Sequence, residues 1–244
     1  MKNKVLKIVD RILWKVNKGN VYKLVLTTNK KELFGIKCIN IFNGIDVNNL
    51  HKVEGNNRDN IIRLIAVANI SRWHGYDRVI NGLSKYYLRD NEKKEVEFYL
   101  IGEGEEKENL EKLTRDLNCD KYVKFLGAKH GKELDNIFNH MDIGVSSLAL
   151  FRAGGGHDPI KSKEYVGRGL PVILGYKDMA LDETLEFVFN VSEDESDLDI
   201  EEIVKKYCAM NYTVDEIRNY AEKNLSWNSQ MKKIVDEIIK IQKE

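Results

Sequence analysis

Proline is nearly missing from this chain, with 2 residues in 244. Few positions are therefore barred from regular helices and strands by a missing N–H. No Ser- or Gly-rich linker divides the chain into halves either. Cysteine is almost as scarce: Cys38, Cys119 and Cys208 are far apart and odd in number. With no Cys-x-x-Cys pair they form neither a disulfide framework nor a zinc knuckle. That usage suits a reducing compartment, and a cytoplasmic location is expected. Net charge is missing too, because Lys+Arg and Asp+Glu both total 39. Nucleic-acid binders normally carry a basic excess, so nucleic acid is not an expected partner. Nor does any run approach the ~18 consecutive apolar residues that cross a bilayer.

What is present is a substantial core-forming content, 42% hydrophobic and 9% aromatic, enough for one large domain or a domain with an appendage. At the N-terminus Val5, Leu6, Val9, Ile12, Leu13 and Val16 recur at helical spacing, with Lys2, Lys4, Lys7, Arg11, Lys15 and Lys18 on the other face. Such a helix packs its stripe on a sheet. It is also compatible with peripheral contact at an anionic membrane face.

Further along, short β-branched runs alternate with helical stretches. Strands are predicted at 22–27, 37–41, 61–67, 96–101, 122–126, 143–146, 172–174 and 187–191. Helices are predicted near 75–89, 105–118, 130–140, 160–168, 199–208, 213–224 and 226–242. Thr213-x-x-Glu216 reads as a capping box. Strands without polar alternation, joined by helices, imply a parallel sheet covered on both faces. From about residue 60 the fold class is α/β, a doubly wound, Rossmann-like parallel sheet. Such sheets bind ligands at the carboxyl ends of their strands.

The most informative segment is DIGVSSLALFRAGGGHDPIKSKEYVGRGLPVILG, residues 142–175. A strand runs into a loop holding Arg152, Gly154, Gly155, Gly156 and Asp158, and Pro159 opens a helix carrying Lys161, Glu164 and Tyr165. Glycines ahead of a helix N-terminus let backbone N–H groups approach an anion such as a diphosphate. The helix dipole contributes roughly 0.3–1 kcal/mol per favourable charge. Lys161 and Arg152 are candidate phosphate contacts, and Glu164 is placed to accept hydrogen bonds from a ribose diol.

This segment resembles the donor-site region of the retaining GT-B glycosyltransferases of family 4, the glycosyl transferases group 1. Lys161-x-x-Glu164-Tyr165 followed by Gly169-x-Pro171-Val172 looks like that family's donor helix and next strand. Ala68–Arg78 lies where the family has its diphosphate-facing first loop. Ile101-Gly102-Glu103-Gly104 resembles a strand end of the family, and Val123-x-Phe125-Leu126-Gly127 resembles the loop that meets the nucleotide base. Ser226-Trp227 looks like the start of the closing helix. The resemblance implies residues 1–45 as a remnant of a truncated N-terminal acceptor domain, 46–225 as the nucleotide-sugar domain and 226–244 as a crossing helix.

The implied chemistry is retaining transfer from a nucleoside-diphosphate sugar to a glycan or lipid-linked acceptor, without metal or other cofactor. Bacterial surface polysaccharide synthesis at the inner membrane face is the implied setting. Arg72, Lys161 and Asp158 are the catalytic candidates. Glu164, Arg152, Gly154, Gly155, Gly156, His74, Leu126 and Gly127 are the donor-binding candidates. Three departures stand out. Position 156 is glycine where the family commonly has an acid, and the first loop offers Asn69 and His74, with Arg72 between them, at the positions nearest the family's usual Arg and Lys. The chain is also short for two domains.

Each residue has a plainer reading when taken singly, as a solvated charge or a helix-terminal carboxylate. The Gly102-x-Gly104 pair is followed by Glu105 and Glu106, which repel a pyrophosphate, so it is not a dinucleotide fingerprint. Asp197-x-Asp199 reads as part of a helix cap rather than a metal pair. A second functional reading is a donor-binding subunit or inactive remnant. The apolar stripe Ile234, Ile238 and Ile241 then meets a separate acceptor-domain polypeptide or a second copy. A third is a nucleotide-sugar epimerase on the same fold.

Overall fold

The computed structural model describes residues 12–13, 19, 21–27, 30–55, 60–89, 93–154 and 158–242. Apart from Ile12 and Leu13, the basic amphipathic segment at the N-terminus lies outside the described residues, as do Gly155 and Gly156. The chain divides into two compact units, residues 45–226 and residues 1–44 with 227–244.

The larger unit holds a sheet of six strands: β4 (Ile61–Val67), β5 (Glu95–Ile101), β6 (Val123–Gly127), β7 (Ile143–Val145), β8 (Val172–Leu174) and β9 (Val188–Asn190). Their order is β6-β5-β4-β7-β8-β9, and every neighbouring pair is parallel. Parallel neighbours require crossovers. These are supplied by α1 (Tyr76–Leu88), α2 (Lys107–Asp116), α3 (Gly131–Phe138) and α4 (Ile160–Arg168), followed by α5 (Ile200–Ala209) and α6 (Val214–Asn224). Strand order reverses between β4 and β7, which makes their carboxyl ends the topological switch point.

Both faces of the sheet are covered, as the unbroken apolar strands require. Ile62, Leu64 and Ala66 of β4 join a core with Val79, Ile80 and Leu83 of α1 and Ile203 of α5. Ile65, pointing the opposite way by strand alternation, is fully buried as well. On that side α4 lies so close to β7 that a Cβ on Gly144 would come within 2.4 Å of the Tyr165 ring. The expected caps are present. Thr213 and Glu216 bond reciprocally at the start of α6, with Thr213 N–H to Glu216 at 2.8 Å. Asp199 accepts from the Glu202 N–H at 3.1 Å to cap α5.

The smaller unit contains β1 (Leu24–Leu26), β2 (Glu32–Leu33) and β3 (Ile36–Asn40), with α7 (Trp227–Ile241). β1 pairs parallel to β3, and β2 pairs antiparallel to it through a two-residue turn. Phe34 and Gly35, at φ 55° and 78°, give that turn the left-handed geometry of a tight hairpin. A strand of two residues carries no periodic pattern, so β2 was not predicted. Ile234, Ile238 and Ile241 of α7 line an apolar groove with Val21, Tyr22, Val25 and Ile39 of the same unit. No described helix is long and apolar enough to cross a membrane.

Candidate functional site

The loop after β4 carries the first group of candidates. Ser71 and His74 bracket a 3-10 turn, Arg72–His74. The Ser71 N–H donates to His74 Nδ1 at 3.0 Å, and the His74 N–H donates to the Ser71 carbonyl at 3.0 Å. An Nδ1 that accepts leaves the proton of a neutral imidazole on Nε2. Burial, reinforced by the Lys161 charge, lowers the His74 pKa to about 3, so the ring stays neutral. It stacks on Tyr76 with centroids 5.2 Å apart. Gly75 then turns the chain at φ 68°, because a Cβ there would meet Ala149 at 2.9 Å. His74 O accepts from the Leu148 N–H at 2.8 Å, which joins this loop to the one after β7.

Helix α4 carries the second group. Its fully buried Tyr165 accepts the Val67 N–H at 2.9 Å, anchoring the helix to the end of β4. Lys161 and Glu164 lie one turn apart, both half-buried. Among the described residues the Lys161 ammonium has neither a hydrogen bond nor an ion pair. Burial lowers its pKa to about 8, against the opposing pull of Glu164. Burial likewise raises the Glu164 carboxyl above its ordinary value, opposed by Arg168 and Lys161. Glu164 makes no hydrogen bond among the described residues, and neither does the Arg72 side chain.

Two of the residues selected from sequence hold internal partners instead. Arg152 was a candidate phosphate contact, but its guanidinium is enclosed by protein acceptors. Nη1 donates to Asp77 at 2.8 Å and to the Arg72 carbonyl at 3.0 Å, Nη2 donates to Asp77 at 2.8 Å, and Nε donates to Glu195 at 3.1 Å. Asp158 was a candidate sugar contact, but it forms an ion pair with fully buried Lys163, which also lies 3.7 Å from Asp178. Asp178 is bonded in turn by Ser162 at 2.9 Å. Lys163 was not selected from sequence. Its position next to Ser162, Tyr165 and Val166, all buried, is the available signal, because a lysine on a core-facing helical position requires acidic partners.

The remaining candidates sit at the ends of β5 and β6. Leu126 and Gly127 are half-buried, and the Gly127 carbonyl accepts from the Gly102 N–H at 2.9 Å. Gly102 and Gly104 serve close backbone approach. A Cβ on either would stand 1.8 and 2.2 Å from the carbonyls of Ala68 and Ile70. The Ile70 N–H donates to the Glu103 carbonyl at 2.7 Å, so this pair of glycines supports the first loop from behind. Asp197 pairs with Lys85, and no group of three acidic, His or Cys side chains among the described residues is arranged to hold a metal.

The doubly wound parallel sheet thus carries Arg72, Lys161 and Glu164 on the loop after β4 and on α4, none of them with a side-chain hydrogen bond or ion pair among the described residues. Comparison with known proteins narrows the class. The profile of the family described as Glycosyl transferases group 1 matches residues 47–224, and the chain belongs to that family. No curated protein matches it.

Among solved structures, a glycosyltransferase from Rickettsia africae ESF-5 is similar with a TM-score of 0.64 at 15% identity, over 96% of this chain and 67% of that one. HepE from Anabaena in complex with UDP gives 0.62 at 16% identity, over 84% of this chain and 58% of its own. The lipopolysaccharide outer core galactosyltransferase WaaB, in apo form, gives 0.63 at 14% identity, over 84% and 56%. At such identities the likeness establishes the fold, that of the GT-B glycosyltransferases. The chain spans 56–67% of the length of these three relatives.

Proposed function

We propose that the crevice between β4 and β7 binds a nucleoside-diphosphate sugar, and that the chain supports its transfer, with retention at the anomeric carbon, to a glycan or lipid-linked acceptor. The observation that carries this reading is Lys161, a half-buried ammonium with no partner among the described residues, one turn from an equally unbonded carboxylate. Removing a cation from water without an anion is unfavourable, and an arriving diphosphate is the natural counter-charge. Lys161 and Arg72 meet the diphosphate, the neutral His74 donates from Nε2, and Glu164 accepts from the ribose diol. These groups stabilise the departing diphosphate electrostatically, and no protein nucleophile or metal enters the mechanism. Arg152 and Asp158, held by internal partners, are left out of this set. Leu126 and Gly127 border the base. The setting we propose is polysaccharide synthesis in a bacterial cytoplasm.

The test is the melting temperature in the presence of UDP, GDP, ADP and CDP, each for the unmodified chain and for Glu164→Ala. A ligand at 100 times its Kd adds about 2.7 kcal/mol of stability, a shift of roughly 5–10 °C for a domain of this size. One nucleotide producing that shift, and losing it in Glu164→Ala, supports the reading. No shift with any of the four counts against it.

A further inference from the structure

Arg152 lies on the 3-10 turn Leu150–Ala153, in the loop after β7, and its side chain is only 10% exposed. A guanidinium has five N–H donors in a rigid planar fork. All of them are engaged by acceptors from two stretches of chain, 72–77 and the segment after β9. Asp77, in the first turn of α1, receives a parallel pair from Nη1 and Nη2, both at 2.8 Å. The Arg72 carbonyl receives a second bond from Nη1 at 3.0 Å. Glu195, from the segment after β9, receives Nε at 3.1 Å and also Nη2. The Arg72 carbonyl is the same atom that closes the 3-10 turn by accepting from the Gly75 N–H at 3.3 Å.

The segment after β9 is itself tied down. Arg78 of α1 is buried and donates to the Ser192 carbonyl at 3.1 Å and to the Ser196 carbonyl at 2.5 Å, with Asp194 at 3.8 Å. Lys85 pairs with Asp197 at 2.5 Å, and Arg89 pairs with Glu201. A Cβ on Gly82 would stand 2.1 Å from the Leu198 carbonyl, so the segment runs hard against α1. Glu195 thus projects from a strap fixed along α1, and Arg152 links that strap to the turn bearing Arg72 and His74.

We infer that Arg152 is a positioning residue: together with Asp77 and Glu195 it forms a clasp that holds the Arg72–His74 turn in its ligand-binding shape. The inference rests on the donor-site reading above but assigns Arg152 a different role from a phosphate ligand. The two roles predict opposite signs. If Glu195 merely competes with phosphate for Arg152, removing its charge frees the arginine and tightens nucleotide binding. If Glu195 anchors the clasp, removing its charge loosens the turn and weakens binding, although the site becomes more positive.

The experiment uses the full chain, Glu195→Gln and Arg152→Lys, with hydrogen exchange of peptides covering residues 70–78 and affinities for UDP, GDP, ADP and CDP. Glu195 is an exposed side chain, so Glu195→Gln leaves the core untouched. Arg152→Lys keeps the charge and loses the fork. The expected result is faster exchange confined to 70–78 in both variants, with at least fivefold weaker binding of whichever nucleotide the unmodified chain prefers. Unchanged exchange overturns the clasp. Equal or tighter binding by Glu195→Gln overturns the positioning role while leaving the donor site standing. If the unmodified chain binds none of the four, the donor-site reading falls and the positioning role falls with it, whereas the exchange data still decide whether the clasp holds the turn.

Discussion

Replacing Lys161 with methionine separates binding from stability, and the structure supplies the magnitudes. The burial of Lys161 moves its pKa from 10.5 to about 8. An unfolded chain holds the lysine proton until about pH 10.5, whereas the folded chain releases it near pH 8, so between those values the unfolded state binds more protons and stability rises with pH. Below pH 8 both states are charged and the folded state carries the full penalty, roughly 3 kcal/mol from the displacement at 1.36 kcal/mol per unit. Lys161→Met removes that charge and raises stability at pH 7 by up to roughly that amount.

Binding runs the other way. A diphosphate beside the ammonium restores its preference for the charged form, so above pH 8 binding must take up a proton. Affinity of the unmodified chain should be flat below pH 8 and about tenfold weaker at pH 9 than at pH 7. Calorimetric titration with the preferred nucleoside diphosphate, in two buffers of different ionisation enthalpy, reads both the affinity and the proton uptake. Lys161→Met carries the ionisations of the nucleotide alone, so the difference between the two curves isolates the lysine. An unmodified chain whose affinity changes no more than that of the variant between pH 7 and pH 9 refutes the contact.

Three further substitutions test the framework behind the site. The Tyr76 hydroxyl is buried without a hydrogen-bond partner among the described residues, so Tyr76→Phe should stabilise the protein by about 1 kcal/mol or more in urea unfolding; a loss of stability contradicts the orphaned hydroxyl. Gly144→Ala forces a methyl to within 2.4 Å of the Tyr165 ring. It should lower stability by about 1–3 kcal/mol and weaken nucleotide binding by shifting Glu164, and a neutral melting temperature argues against the tight α4–β7 packing. Thr213→Ala removes one half of the capping box on α6 and should cost about 1 kcal/mol in thermal unfolding with no change in nucleotide affinity; an equally large loss of affinity is incompatible with a cap remote from the crevice.

Much of the fold was legible because its local signals agree. Runs such as IGV at 143–145 and VIL at 172–174 leave no wet face, and in the structure they are neighbouring parallel strands buried at every residue. Pro159 stands at the N-cap of α4 and Gly169 at its C-cap, where φ 93° suits glycine. Lys161 and Glu164, one turn apart just inside that helix, were recognisable as a pair for the same reason. The antiparallel β2 escaped notice because two residues carry no period, and the turn at Phe34–Gly35 lacks the usual Asn or Asp.

The sequence by itself determined the alternation of strands and helices, the helix caps and the cluster of charged candidates beside the switch point, because those depend on near neighbours along the chain. Only the tertiary structure decided which charges are free. Arg152 and Lys161 look equivalent in the linear sequence, both cations flanking a glycine-rich loop. One meets Asp77, Glu195 and the Arg72 carbonyl across the fold, while the other is half-buried with no hydrogen bond or ion pair among the described residues. The same holds for Asp158, which is given to Lys163. Ion pairing requires approach to a few ångströms, and the partners of Arg152 come from segments 43 and 75 positions away. Their meeting is set by the crossovers of the sheet, not by spacing along the chain.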